Sequence, residues 1–174
     1  NYTEGMNINV VCIFVVIMHI DVSAYEGYPC TPWIYNIEFR KCYRKFADIV
    51  SPKTAQKVCQ RNGGNLVTIC SEAENNFVSL IAHVATSYPY QDHERTWIGL
   101  RRNPNDRTQF QWLSGSSCNY THWTTGEPND KRGKEDWVHL YSEAEGTYND
   151  WNDLNDGPYQ FICERSTCPQ EDVE

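Results

Sequence analysis

Three short segments in the second half of the chain gather oxygen-bearing side chains: Glu127-Pro128-Asn129-Asp130, Glu135-Asp136 and Trp151-Asn152-Asp153. They offer carboxylate and amide oxygens and no soft ligand. Such hard donors suit calcium, which takes about 6–8 oxygen ligands. Zinc would want histidine or cysteine nearby, and magnesium would keep more of its own water. Pro128 adds a geometric condition. A cis X-Pro bond would turn the Glu127 and Asn129 side chains toward one side. Each could then give one oxygen to an ion and keep a second hydrogen-bonding group for a ligand. Asn both donates and accepts, whereas ionised Glu only accepts. The pair therefore suits neighbouring sugar hydroxyls, which do both. The same carboxylates could in principle serve glycoside hydrolysis, but calcium ligation accounts for them better. No activated nucleophile accompanies them, and the chain reads as a binding protein, not an enzyme.

These segments lie in a long polar stretch that runs from Leu100 to Asp156, rich in Gly, Asn, Asp, Pro, Trp and Tyr. Loops of that length are uncommon in compact domains unless they carry function. Ordered elements must hold it from both sides. Residues 25–50, with Trp33, Tyr35, Phe39, Tyr43 and Phe46, read as an opening hairpin. Ser51 and Pro52 then open a helix with Ala55, Val58 and Cys59 on one face, stopped by Asn62-Gly63-Gly64. Asn65 to Ile69 reads as a strand. Ser71-Glu72-Ala73-Glu74 has the capping-box pattern, and Ala73, Phe77, Leu80, Ile81 and Val84 mark a core face for a second helix ending near Ser87-Tyr88-Pro89. Trp97-Ile98-Gly99-Leu100 and Phe161-Ile162-Cys163 read as strands flanking the loop region. Trp97, Trp112 and Trp151 read as core residues that support it, and His139 as a packed or surface residue. Two helices, small sheets and one acidic loop region make an α+β layout.

The bulk properties narrow the function. A chain of 174 residues has room for one domain with a real core. Its net charge of −8 suits it poorly to nucleic acid or anionic membrane. Val10 to Met18 is an apolar run too short to span a bilayer, and it ends at Val22-Ser23-Ala24. Residues 1–24 read as a signal peptide cut after Ala24, with Met6 as a candidate start and residues 1–5 as non-native upstream sequence, which predicts a secreted, extracellular product without membrane insertion. Of the eight cysteines, Cys12 would leave with that segment. Seven would remain, so at least one would be free or bonded to another chain, and a disulfide-linked oligomer is one outcome. Asn119-Tyr120-Thr121 is a glycosylation sequon.

The chain resembles the C-type lectin-like domain family, long form, from about Cys30 to Glu164. The resemblance rests on an ordered series: the helix with Cys59, Asn65-Leu66-Val67, Ser71-Glu72-Ala73-Glu74-Asn75, Trp97-Ile98-Gly99-Leu100 and Gln111-Trp112-Leu113-Ser114-Gly115. The three oxygen-rich segments follow, and then Phe161-Ile162-Cys163-Glu164. It implies a double-loop α+β fold over residues 25–168, with 169–174 as a short tail. It implies a calcium ion on Glu127, Asn129, Glu135, Asn152 and Asp153. Sugar would then be bound by Glu127, Asn129, Glu135 and Asn152. In that family E-P-N goes with mannose, fucose and N-acetylglucosamine, chosen through equatorial 3- and 4-hydroxyls, and the implied partners are glycans or glycoproteins. A protein-interaction role on the same fold is the alternative. Asp106, Asp130 and Asp136 correspond to an auxiliary calcium site in which Arg102 replaces an acidic ligand. The resemblance further implies Cys30–Cys42 and Cys59–Cys163 bridges. A bridge usual beneath the loop is missing, since Trp137 and Asp156 occupy its positions. Cys70, Cys118 and Cys168 are expected to supply one replacement pair and one spare thiol.

Overall fold

The computed structural model describes residues 33–84, 95–141 and 150–168. The expected signal peptide, Cys30, the end of the second helix and the C-terminal tail lie outside those residues. Ser51 and Pro52 open α1 (Pro52–Arg61) as expected: the Ser51 backbone is extended and its hydroxyl accepts the Thr54 N–H at 3.4 Å. Ala55 and Cys59 are buried and Val58 is half-buried. Asn62 closes the helix, and Gly63, at φ +77°, turns the chain out of it.

The second helix, α2 (Glu72–Val84), begins where the capping-box pattern places it, with the Ser71 hydroxyl accepting the Glu74 N–H at 3.1 Å. Its buried face differs from the expected one. Ala73 is exposed and Leu80 is 46% exposed, while Glu74, Asn75, Val78, Ile81 and Ala82 are buried. The reason is polar. One Glu74 oxygen accepts from the Tyr43 hydroxyl at 2.6 Å and from the Lys41 ammonium at 2.9 Å, and the other accepts the Cys70 N–H at 2.8 Å. Asn75 accepts the Trp151 indole N–H at 2.8 Å. A buried polar group with partners is stable where an unpaired one would not be. These two residues therefore rotate the helix away from its most apolar stripe.

The described strands form one eight-stranded sheet. They are β1 (Ile34–Asn36), β2 (Lys41–Val50), β3 (Asn65–Leu66), β4 (Arg95–Arg102), β5 (Phe110–Trp112), β6 (Trp137–Tyr141), β7 (Trp151–Leu154) and β8 (Tyr159–Arg165). The order is β1-β2-β8-β4-β6-β7, with β3 on β8 and β5 on β4. Pairing of β2 with β8 joins the opening and closing strands, and β4 runs parallel to β8. Gly99 allows β4 to cross close to β3: a Cβ there would lie 2.5 Å from the Leu66 carbonyl oxygen. Trp97, Trp112 and Trp151 are all buried, as expected. The architecture is the α+β arrangement read from the sequence.

The disulfides correct one expected pairing. Cys59–Cys163 forms as expected, and Cys70–Cys118 is the replacement pair. Cys42, however, bonds to Cys168 and not to Cys30. Cys42 lies opposite Arg165 in the β2–β8 register, so the residues just after β8 pass within reach, with 5.4 Å between the two Cα atoms. The expected spare thiol among Cys70, Cys118 and Cys168 is therefore absent; among the described residues no cysteine is free. Where a bridge beneath the loop is missing, the Trp137 ring is buried instead, with the Arg101 guanidinium 4.8 Å from its centre. Asp156 accepts the Gly157 N–H locally.

Candidate metal and ligand site

The loop region is fixed to the sheet by backbone bonds. Trp151 donates its N–H to the His122 carbonyl at 2.7 Å, and Thr124 donates to the Trp151 carbonyl at 3.0 Å. The turn at 124–127 closes when the Glu127 N–H reaches the Thr124 carbonyl. The Glu127–Pro128 bond is cis. The Glu127 and Asn129 side chains meet: the Asn129 amide donates to Glu127 Oε1 at 2.7 Å, and its backbone N–H donates to Oε2 at 3.1 Å.

Strand β7 supplies the facing groups. Asp153 is fully buried and its oxygens are divided: Oδ1 accepts the Asn129 N–H at 3.0 Å, and Oδ2 accepts the Asp130 N–H at 2.9 Å. Glu135 is buried and accepts the Lys131 N–H at 2.7 Å. Asn152 donates its amide to the Tyr141 hydroxyl at 2.8 Å, while its Oδ1 is buried without a hydrogen-bond partner among the described residues. The expected set of Glu127, Asn129, Glu135, Asn152 and Asp153 is thus carried on one loop and one strand, with direct bonds linking Glu127, Asn129 and Asp153.

The electrostatics fit a cation. Burial, reinforced by the neighbouring Asp153 and Glu135 carboxylates, pushes the Glu127 carboxyl up to about 7. The unpaired buried Asn152 Oδ1 adds an amide oxygen of the kind that calcium accepts. Among the described residues, no three His, Cys, Asp or Glu side chains form a metal-holding group by themselves. A cation here would therefore need the amide oxygens as well as the carboxylates.

The auxiliary set is divided. Asp130 and Asp136 are both bound by Arg107, whose Nε and one terminal nitrogen reach Asp130 at 3.0 and 2.6 Å and whose other nitrogen reaches Asp136 at 2.8 Å. The Arg107 hydrogen bond holds the Asp130 carboxyl below its ordinary pKa. Asp106 serves its own turn by accepting the Thr108 N–H at 3.0 Å and hydroxyl at 2.6 Å. Arg102, only 5% exposed, pairs with Asp153 and donates Nε to the Glu135 carbonyl at 2.8 Å. The sequence reading missed Tyr141 and Arg107. The signal for Tyr141 is cross-strand: His139 pairs with Asn152 in the β6–β7 register, so Tyr141 is two residues along the same face. Nothing in the local sequence around Arg107 gives a comparable signal.

A two-helix α+β scaffold that carries this loop is the architecture of a C-type lectin domain. The Lectin C-type domain model matches residues 48–165, and the chain belongs to the C-type lectin domain family. A C-type lectin of Micrurus corallinus is 34% identical over 149 residues, covering 83% of this chain and 88% of that protein. The C-type lectin CEL-I of Cucumaria echinata matches with a TM-score of 0.68 at 25% identity, over 79% of this chain and 97% of its own. The C-type carbohydrate-recognition domain of cow CD23, determined in the presence of a GlcNAc2Man3 oligosaccharide, matches with a TM-score of 0.64 at 27% identity. That match covers 82% of this chain and 98% of the cow domain. A calcium-independent type II antifreeze protein shares the fold alone, at 20% identity with a TM-score of 0.64, over 80% of this chain and 94% of its own. The fold therefore does not decide whether calcium binds; the side chains do.

Proposed function

We propose that this domain binds mannose-type sugars through one calcium ion held by Glu127, Asn129, Glu135, Asn152 and Asp153. The observation that carries the reading is the buried, unpartnered Asn152 Oδ1 in a set made entirely of carboxylate and amide donors. Calcium, when bound, supplies coordination positions for two neighbouring sugar hydroxyls. The protein's part is to orient them. Glu127 and Glu135 accept hydrogen bonds from the hydroxyls, and the Asn129 and Asn152 amides donate to hydroxyl oxygens. The carboxylate–amide order of Glu127 and Asn129 favours equatorial 3- and 4-hydroxyls. No bond is made or broken. One shallow site of this kind should bind at about millimolar, or about −4 kcal/mol, so useful avidity requires several sites together.

No helix among the described residues is long and apolar enough to cross a membrane. We read the product as secreted, with glycans or glycoproteins as partners. The test is retention on immobilised mannose in calcium, followed by EDTA. Elution by EDTA supports the reading, and E127Q combined with N129D should move preference toward galactose. Failure to bind mannose, fucose or N-acetylglucosamine by a folded, calcium-loaded chain would sink it and favour a protein partner on the same surface.

A further inference from the structure

Four acidic residues meet around two arginines at the base of the loop: Asp130, Asp136 and Asp153 through their side chains and Glu135 through its backbone carbonyl. The two arginines come from β4 and the turn after it. Arg102 has its donors committed inside the protein, with Nε to the Glu135 carbonyl, one terminal nitrogen to the Arg107 carbonyl and the other to Asp153 Oδ2. Its Nε also lies 3.9 Å from Asp130 Oδ1, and its guanidinium carbon lies 4.4 Å from the Phe110 ring centre. Arg107 spans the outside of the same loop from Asp130 to Asp136. Planar guanidinium groups suit such multidentate pairing. Asp130 and Arg132 hold left-handed backbone angles, φ +46° and +63°, which non-glycine residues adopt only where neighbouring contacts fix them.

We propose that Arg102 and Arg107 act as tethered cations that hold Asp130, Asp136 and Asp153 in place of a second divalent ion, so that the 124–136 segment keeps its shape without metal. The division of partners supports this. Among the described residues the arginines pair with Asp130, Asp136 and Asp153, while no ion pair reaches Glu127 or Glu135. Glu127 and Glu135 are therefore the ion-pair-free carboxylates of the proposed calcium set, and Asp153 is the member it shares with Arg102. Arg102 is a positioning residue on this account: by occupying Asp153 Oδ2 it fixes the carboxylate whose Oδ1 holds Asn129. The inference rests on the calcium reading only for the number of ions.

Hydrogen exchange of the 124–136 segment in EDTA tests it, using the full chain, R107Q and R107K. Arg107 is 41% exposed, so its replacement leaves the core intact. Wild type should keep the 124–136 segment protected in EDTA, with any further protection in calcium coming from the separate ion of the proposed function. In EDTA, R107Q should exchange this segment at least about tenfold faster, while β2 and β8 stay unchanged, and R107K, which keeps the charge but cannot span both aspartates, should restore only part of the protection. A wild-type segment that exchanges at the unprotected rate in EDTA, or no difference between R107Q and wild type in EDTA, would overturn the proposal. So would a titration showing two calcium ions per chain. A titration showing none would overturn the proposed function and leave this inference standing, because the exchange comparison is made without metal.

Discussion

Acid should destabilise this domain through His139. The imidazole is fully buried in β6, with ring centroids of Tyr141, Trp97 and Tyr159 at 4.7, 6.1 and 6.2 Å. Burial, helped by the nearby Arg95 cation, pushes its pKa from 6.5 down to about 3. Above pH 6.5 the ring is neutral in both folded and unfolded chains, and stability does not depend on it. Between 6.5 and 3 the unfolded chain takes up a proton that the folded domain refuses, so stability falls as pH falls. Below 3 both states are protonated and the slope ends. The loss is about 1.4 kcal/mol per pH unit, or about 3 kcal/mol between pH 7 and pH 4. Carboxylates add their own acid dependence, so the measurement is a difference. Urea unfolding followed by circular dichroism at pH 7, 5 and 4 should give wild type a steeper loss than H139F, which keeps the aromatic packing and cannot titrate. Equal slopes for the two proteins would refute the reasoning. His139 pairs with Asn152 across the β6–β7 ladder, so acid loosening there would reach the candidate site directly.

Calcium affinity should also weaken in acid, because Glu127, raised to about 7, must lose its proton before it can ligate. Titration calorimetry should show affinity falling by up to about tenfold per pH unit below 7, and equal affinities at pH 7.5 and 5.5 would contradict this. Y141F should free the Asn152 amide and weaken calcium binding by about 3–10-fold, the worth of one hydrogen bond, with little change in melting temperature; unchanged affinity would remove Tyr141 from the site. The three described bridges use six cysteines, so in a chain cut after Ala24 Cys30 is the seventh. Alkylation of unreduced protein followed by mass spectrometry should find label on Cys30 or a disulfide dimer that C30S abolishes, and neither result would mean that the cut lies elsewhere or that the pairing differs.

What the sequence made legible is what its local chemistry dictates. Ser51-Pro52 and Ser71 begin helices because the caps are written beside them, and the oxygen-rich segments announce their donors by type. What it hid depends on contacts between distant residues. The α2 face was misread because Glu74 finds Tyr43 and Asn75 finds Trp151, and periodicity counts apolar residues without knowing which polar ones have partners. Cys42 was misassigned because Cys168 lies 126 residues away in sequence and 5.4 Å away across the end of β8. Arg107 follows the same rule from the other side. In the sequence it is one charge in a polar turn, whereas in the fold it bridges two aspartates contributed by a loop more than twenty residues later. The candidate donors can therefore be named from residue types, but Tyr141 holds Asn152, Arg102 holds Asp153, and Arg107 braces the loop through Asp130 and Asp136. Substitutions at those three positions should alter metal and ligand binding even when all five donor residues are unchanged.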